Sequence, residues 1–202
     1  YSSSIKKSNS IFKVKGNIDN EVEVSNTIRK KLLQNGLSPK LVYVSTLKDI
    51  KIQRKLLKLF KQENIKIILT TTSFDSTLSN TEKEESDFNN LFEELKVPII
   101  QILSSTKSKK EWINSTIGLN SMDLLMQIIT TEFDGRIISR PSSFKEVVAV
   151  DKDLCSEITK YKIDEYGLNW VVKLAKNYIY LSNLTNDQKK VCLIISNYPV
   201  KN

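Results

Sequence analysis

The sequence contains no histidine. That removes the commonest metal ligand and the side chain most often used as a general base near neutral pH. Acid–base chemistry therefore falls to Asp, Glu, Lys or Tyr, and a Ser-His-Asp arrangement is excluded. Cysteine is almost as scarce. Cys155 and Cys192 stand far apart, at no metal-ligand spacing, so they make no disulfide framework and suit a reducing compartment. With five glycines in 202 residues there is no Gly-x-Gly-x-x-Gly, and no Walker A loop or nucleophile elbow either. No apolar run reaches the roughly 18 residues of a membrane helix.

Cations are plentiful: 31 Lys and Arg face 23 Asp and Glu, a net charge of +8. Nucleic-acid binding is the usual reading of such a balance. Here the lysines are scattered, and no Arg-rich helix or aromatic stacking motif accompanies them. A solvated basic surface fits better, and it would also suit a substrate bearing several carboxylates. The chain begins at Tyr1 with a polar run, Ser2 to Ser10, and ends just after a strand-like segment. It reads as an internal piece of a longer protein. Asn114-Ser115-Thr116 and Asn183-Leu184-Thr185 match the glycosylation pattern, but nothing secretory accompanies them.

Periodicity predicts an α/β fold: a Rossmann-like three-layer unit with parallel strands, then a mostly helical segment leading into a further α/β unit. Residues 1–37 read as a flexible or edge segment, with a short strand around Ile11, Phe12 and Val14, then a helix stopped at Asn35-Gly36. Residues 38–110 form the Rossmann-like unit. Its strands are Leu41–Val44, Ile65–Leu69 and Ile99–Leu103. Between them lie a helix capped by Asp49, with Ile52, Leu56, Leu59 and Phe60 inward, and a helix through Phe88, Leu91, Phe92 and Leu95. Residues 111–187 read as mainly helical. One helix, capped by Asn120 or Ser121, carries Met122, Leu125, Ile128 and Ile129. Another carries Trp170, Val171, Leu174 and Tyr178. Residues 188–202 open a further unit with a strand at Val191–Ile195. Ligands in such sheets sit beyond the carboxyl ends of the strands, where Ser45, Thr46, Thr70–Ser73 and Ser104–Thr106 offer hydroxyls.

The distinctive stretch is Glu132-Phe133-Asp134-Gly135-Arg136-Ile137-Ile138-Ser139-Arg140-Pro141-Ser142-Ser143-Phe144-Lys145. By composition it is a charged turn whose carboxylates and cations can satisfy one another. It resembles the Pro-Glu-x-Asp-Gly-Arg-Ile…Arg…Ser-Phe-Lys signature of the large cobaltochelatase subunit, a family that includes the large subunit of magnesium chelatase. The resemblance runs in order along residues 38–200. It takes in Ile67 to Asp75, Val97-Pro98-Ile99-Ile100-Gln101, Trp112 with Gly118-Leu119 and Asp123-Leu124, and Lys190-Val191 through Asn197-Tyr198-Pro199. Thr131 stands where the family usually has Pro, and Ser139 where Thr is common. Gly135-Arg136-Ile137, Arg140 and Phe144-Lys145 point to the cobalt branch.

The resemblance implies insertion of cobalt, as substrate metal, into a corrin precursor, hydrogenobyrinic acid a,c-diamide, in cobalamin biosynthesis. It implies cytoplasmic AAA+-type motor subunits that hydrolyse ATP, with no nucleotide bound here, no nucleic acid and no membrane span. Insertion requires stripping water from the metal and removing ring N–H protons, and carboxylates suit both tasks. Glu132 is the first choice for catalysis and metal delivery. Asp134 is the second, or it orients Arg136. Arg136, Arg140 and Lys145 would bind substrate carboxylates or hold the loop. Two other readings remain open: a magnesium chelatase large subunit acting on protoporphyrin IX, and a non-catalytic α/β ligand-binding module. The latter predicts Glu132 and Arg136 paired with each other.

Overall fold

The computed structural model describes residues 10–14, 19–44, 46–76, 90–153 and 155–195, with 10–14 and 19–21 as backbone only. In chain order the elements are β1 (Ser10–Val14), α1 (Asp19–Gln34), β2 (Ser38–Leu41), α2 (Ile50–Gln62), β3 (Ile67–Thr70), α3 (Leu91–Leu95), β4 (Ile99–Ser105) and α4 (Lys109–Asn114). A helical run follows: α5 (Ser121–Leu124), a π-helical segment (Leu125–Ile129) and α6 (Thr130–Glu132). Then come β5 (Ile137–Asp151), β6 (Ser156–Ile163), α7 (Glu165–Asn183) and a 3₁₀ turn (Asn186–Gln188).

The strands make one sheet in the order β2-β1-β3-β4-β5-β6. The first five are parallel and β6 runs antiparallel to β5. The expected α/β fold with a mostly parallel sheet is what forms. The order 2-1-3-4-5 is that of a doubly wound sheet, whose strand order reverses between β1 and β3.

Two cores lie on opposite faces, so the unit has three layers. Ile67, Leu69, Ile100 and Ile102 face Val24, Ile28 and Leu32 of α1 and Leu168, Val171, Val172, Ala175 and Ile179 of α7. The alternate residues Ile68 and Ile99 face Leu56 and Phe60 of α2 and Leu91 and Phe92 of α3. A strand covered on both faces reads as an unbroken apolar run, and Ile67-Ile68-Leu69 is such a run. Local signals set the helix ends. Asp49 Oδ1 accepts from the Lys51 and Ile52 N–H groups. Asn120, not Ser121, caps α5 through Asp123 N–H. Gly36, at φ +77°, ends the turn after α1.

Several expectations need correction. β1 is no edge segment; it lies between β2 and β3. β2 starts at Ser38 rather than Leu41, and Val42 and Val44 pack beyond its end against the α2 core. The stretch 111–187 is not mainly helical, since residues 137–163 form a long hairpin that joins the same sheet. Pro141 disguises β5. The β4–β5 register shifts around Leu103, and such irregularities are where a sheet accommodates proline.

α7 buries Leu168, Val171, Val172, Ala175 and Ile179 rather than the Trp170 side. Its rotation is set by Gly167, where an added Cβ would lie 2.1 Å from Pro141 O. Val191–Ile195 forms no strand. It has no ladder partner among the described residues, and its apolar side chains are 81–89 % exposed. Phe88, Ser45 and residues 196–202 lie outside the described residues.

Candidate functional site

The site is built where the loop after β3 meets the turn after α6. Gly135, at φ +67°, closes that turn, and its N–H donates to Glu132 O at 2.9 Å. The turn sends Arg136 inward and only 4 % of it stays exposed. Its Nε and Nη2 donate to Asp134 Oδ2 at 2.9 and 2.5 Å. Nη1 donates to Thr72 O, Thr72 Oγ1 and Gln101 Oε1 at 2.9, 3.1 and 2.8 Å. Nη2 also reaches Phe74 O at 2.9 Å. A guanidinium has five N–H groups, and this set engages them all. The guanidinium also lies 5.5 Å from the Phe92 ring centroid.

Asp134 is engaged as fully as Arg136. Its Oδ1 accepts from Ser76 N–H at 2.9 Å and from the Ser76 hydroxyl at 2.7 Å. Burial pushes the Arg136 pKa down, while the charges of Asp134 and Asp75 act the other way. The pair is thus a buried clamp between the β3 loop and the β4–β5 connection. Gln101, which lies on β4, closes it by donating to Thr72 O at 3.1 Å. Asp134 thus holds the Arg136 guanidinium through two hydrogen bonds.

The remaining candidates are dispersed. Glu132 is exposed at the end of α6, and its carboxylate makes no hydrogen bond or ion pair among the described residues. The carboxylate partner of Arg136 is Asp134, not Glu132. Among the described residues no three acidic or thiol side chains converge where a metal ion could sit. Lys145 is exposed on β5, opposite Tyr161.

Arg140 is different. It is half-buried on β5, its guanidinium stacks 4.3 Å from the Tyr166 ring centroid, and its Nε is buried with no acceptor. Nearby Asp164 is bound by Lys109 Nζ at 2.5 Å and by Gly167 N–H at 2.8 Å. Burial pushes the Asp164 carboxyl up, but those two hydrogen bonds and the charges of Lys109 and Arg140 prevail and hold it below the ordinary aspartate range.

Several of the groups expected to line a crevice are engaged locally, although Thr71 Oγ1 is buried with no partner among the described residues. Thr70 and Thr72 share a hydrogen bond at 2.8 Å. Thr106 N–H and Oγ1 donate to Asp123 Oδ2 at 2.8 and 2.9 Å. Ser104 N–H and O both bond Gln127, at 2.9 and 2.8 Å. The helical run 121–132 therefore sits over the end of β4, held by polar side chains. Asp123, Gln127 and Thr131 are its buried residues, at 3, 9 and 0 % exposure. Met122, Leu125 and Ile129, whose spacing suggests the helix, are 45–57 % exposed, and Phe133 beyond the run is 77 % exposed. An α-helical repeat of four residues drifts by about 40° per step, and the wider π turn takes up that drift.

Sequence reasoning passed over three buried amides. Gln53 donates to Leu47 O and Ser76 O at 2.6 and 2.8 Å and accepts from Leu91 N–H at 2.8 Å. Its signal was its place three residues before Leu56 and seven before Phe60, on the apolar stripe of α2. The four-residue spacing of Asp123, Gln127 and Thr131 was the corresponding signal in the run over β4. Gln101 carried none beyond its place in a strand.

Residues 10–202 match the family described as CobN/Magnesium Chelatase. The aerobic cobaltochelatase subunit CobN of Pseudomonas aeruginosa is 28% identical over 173 residues, 85% of this chain and 13% of that protein. An uncharacterised protein of Methanocaldococcus jannaschii is 36% identical over 137 residues, 67% of this chain and 11% of its own length. The catalytic subunit of cobaltochelatase from Mycobacterium tuberculosis superposes with a TM-score of 0.67 at 22% identity, which speaks to the fold. That match covers 90% of this chain and 15% of the neighbour. The chain thus spans about an eighth of the length of the curated relatives it matches. On the match over nearly its whole length, the chain belongs to the CobN/magnesium chelatase family.

Proposed function

We propose that this chain forms part of the tetrapyrrole-binding large subunit of an ATP-dependent cobaltochelatase. Cobalt and the corrin precursor, hydrogenobyrinic acid a,c-diamide, are its substrates, and ATP is hydrolysed in separate cytoplasmic AAA+-type motor subunits. The relatives named as cobaltochelatase subunits support this reading. One observation carries it at the level of residues: Arg140 presents a half-buried guanidinium with an orphaned Nε, oriented by stacking on Tyr166. The charge of Arg140 already acts on Asp164, but a partly desolvated guanidinium is suited to a further carboxylate, and arginine takes one bidentately.

In this scheme Arg140 receives a peripheral carboxylate of the ring, and exposed Lys145 adds a second cation. Glu132 is the group for metal delivery or for accepting a ring N–H proton, because its exposed carboxylate has no partner among the described residues. Asp134 and Arg136 do not touch substrate; they fix the turn that carries Glu132 and the loop that carries Phe74.

Absorbance titration of the intact subunit with hydrogenobyrinic acid a,c-diamide and with protoporphyrin IX tests the reading. The corrin precursor should bind more tightly. Arg140→Gln should weaken it about tenfold or more, as the loss of a charge-assisted hydrogen bond does. Glu132→Gln should spare binding and lower chelation. Preference for protoporphyrin would move the chain to the magnesium branch. Unchanged affinity in Arg140→Gln would remove Arg140 from the site.

A further inference from the structure

The helical run 121–132 is amphipathic in the inverted sense. Its polar face is pinned inward: Gln127 bonds both backbone groups of Ser104, and Asp123 bonds Thr106. Rotation about the helix axis would break these contacts, so the apolar ridge Leu125, Ile129 and Phe133 is held in solvent. Beside it stands Phe74, whose N–H donates to Met126 O at 3.0 Å. Phe74 adopts φ +65°, a left-handed conformation that costs a bulky residue about 1–3 kcal/mol. Arg136, bonded to its carbonyl, and Met126 hold it there, and its ring is 46 % exposed. The Phe74 loop leaves β3, one of the two strands flanking the reversal in strand order, where open α/β sheets bind their ligands. Lys48 Nζ lies 6.0 Å from the Phe74 ring centroid; it is 3.5 Å from Asp75 Oδ1 but stays largely exposed, so a stronger carboxylate partner can still reach it.

We propose that Phe74, Leu125, Ile129 and Phe133 form the platform for the flat, apolar face of the tetrapyrrole-type ring, with Lys48 at its rim for a ring carboxylate. This rests on the function proposed above. Charge and shape both favour that occupant. The ring is an apolar disc with an anionic edge, and the platform is an apolar ridge with an aromatic ring and a cation at its margin. Glu132 precedes Phe133 in the chain, at the end of α6, and is likewise exposed.

The test is titration of the intact subunit with hydrogenobyrinic acid a,c-diamide, alongside thermal melts of each variant. Phe74→Gly should weaken the ring about tenfold while leaving the melting temperature unchanged or higher, because glycine relieves the left-handed strain. A merely structural phenylalanine would not separate the two readouts in that direction. The pair Ile129→Ser and Phe133→Ser, in exposed positions, should weaken the ring about tenfold or more. Ile113→Ser, exposed on α4, should leave affinity within about twofold. If the wild type binds the ring and both platform variants bind equally well, the platform is wrong and the Arg140 reading stands. Loss of association with other chelatase subunits in those variants would then assign the ridge to a protein. If the wild type binds no ring, both proposals fall.

Discussion

Gly167→Ala sets two physical effects of opposite sign against each other. Alanine exceeds glycine in helix propensity by about 1 kcal/mol, so on an open helix face the change would stabilise. At this position the new Cβ would lie 2.1 Å from Pro141 O, 2.9 Å from Ser142 Cα and 3.0 Å from the Pro141 carbonyl carbon. All three are backbone atoms of β5, with no flexible side chain to give way. Reaching ordinary contact requires α7 to retreat by roughly 1 Å. The neighbouring Leu168 and Val171 are fully buried, so the retreat opens a gap along the α7 core. Overpacking typically costs about 1–3 kcal/mol, and a rigid neighbour places this site at the upper end. A net loss of about 2 kcal/mol should lower the melting temperature by roughly 4–8 °C in a domain of this size. Thermal melts and urea titrations, with an unchanged denaturant slope, are the assay. An equal or higher melting temperature would show that α7 does not press on β5 as described.

Asp134→Ala leaves the Arg136 charge buried and uncompensated; it should cost about 3–5 kcal/mol, read as a fall in the urea midpoint, and an intact midpoint would deny the clamp its structural role. Gln53→Leu strands Leu47 O, Ser76 O and Leu91 N–H together and should cost about 2–4 kcal/mol by the same assay; Gln53→Glu should not rescue it, because a carboxylate can accept from Leu91 N–H but cannot donate to the two carbonyls. Asp164 titrates below its unfolded value of about 3.9, so the stability it contributes is complete above that pH and is lost as pH falls through its folded value. Urea melts between pH 3 and pH 6 should therefore steepen at the acid end, and Asp164→Asn should flatten that slope; an identical slope would mean the Lys109 contact is not made in solution.

What was legible in the sequence follows from how far its cause lies along the chain. β3 could be read because burial on both faces leaves an unbroken apolar run, β4 because only Gln101 interrupts one, and α2 because Asp49 caps it and Leu56 and Phe60 recur on one face. β6 also carried its signal, since Thr159, Tyr161 and Ile163 alternate with Lys160 and Lys162. It was overlooked beside a β5 masked by Pro141 and a run of serines. The Asp134–Arg136 pairing was implicit in a two-residue spacing around a turn glycine. The other acceptors of Arg136 come from Thr72, Phe74 and Gln101, far along the chain, and no local pattern announces them. The inverted helical run failed for a different reason. Apolar periodicity reports which residues share a face, and it leaves open whether that face is turned to the sheet or away from it.

The strand order also bears on how the chain assembles. β5 and β6 zip from a short connection, with Val147 meeting Thr159. β1 belongs in the middle of the sheet, yet Ile11 must wait for Ile67 before both its edges are paired. Loop closure over that span is slow compared with hairpin formation. During synthesis β1 therefore emerges early and lacks its β3 neighbour until the later strand appears, an interval in which its open edge is free to find the wrong partner.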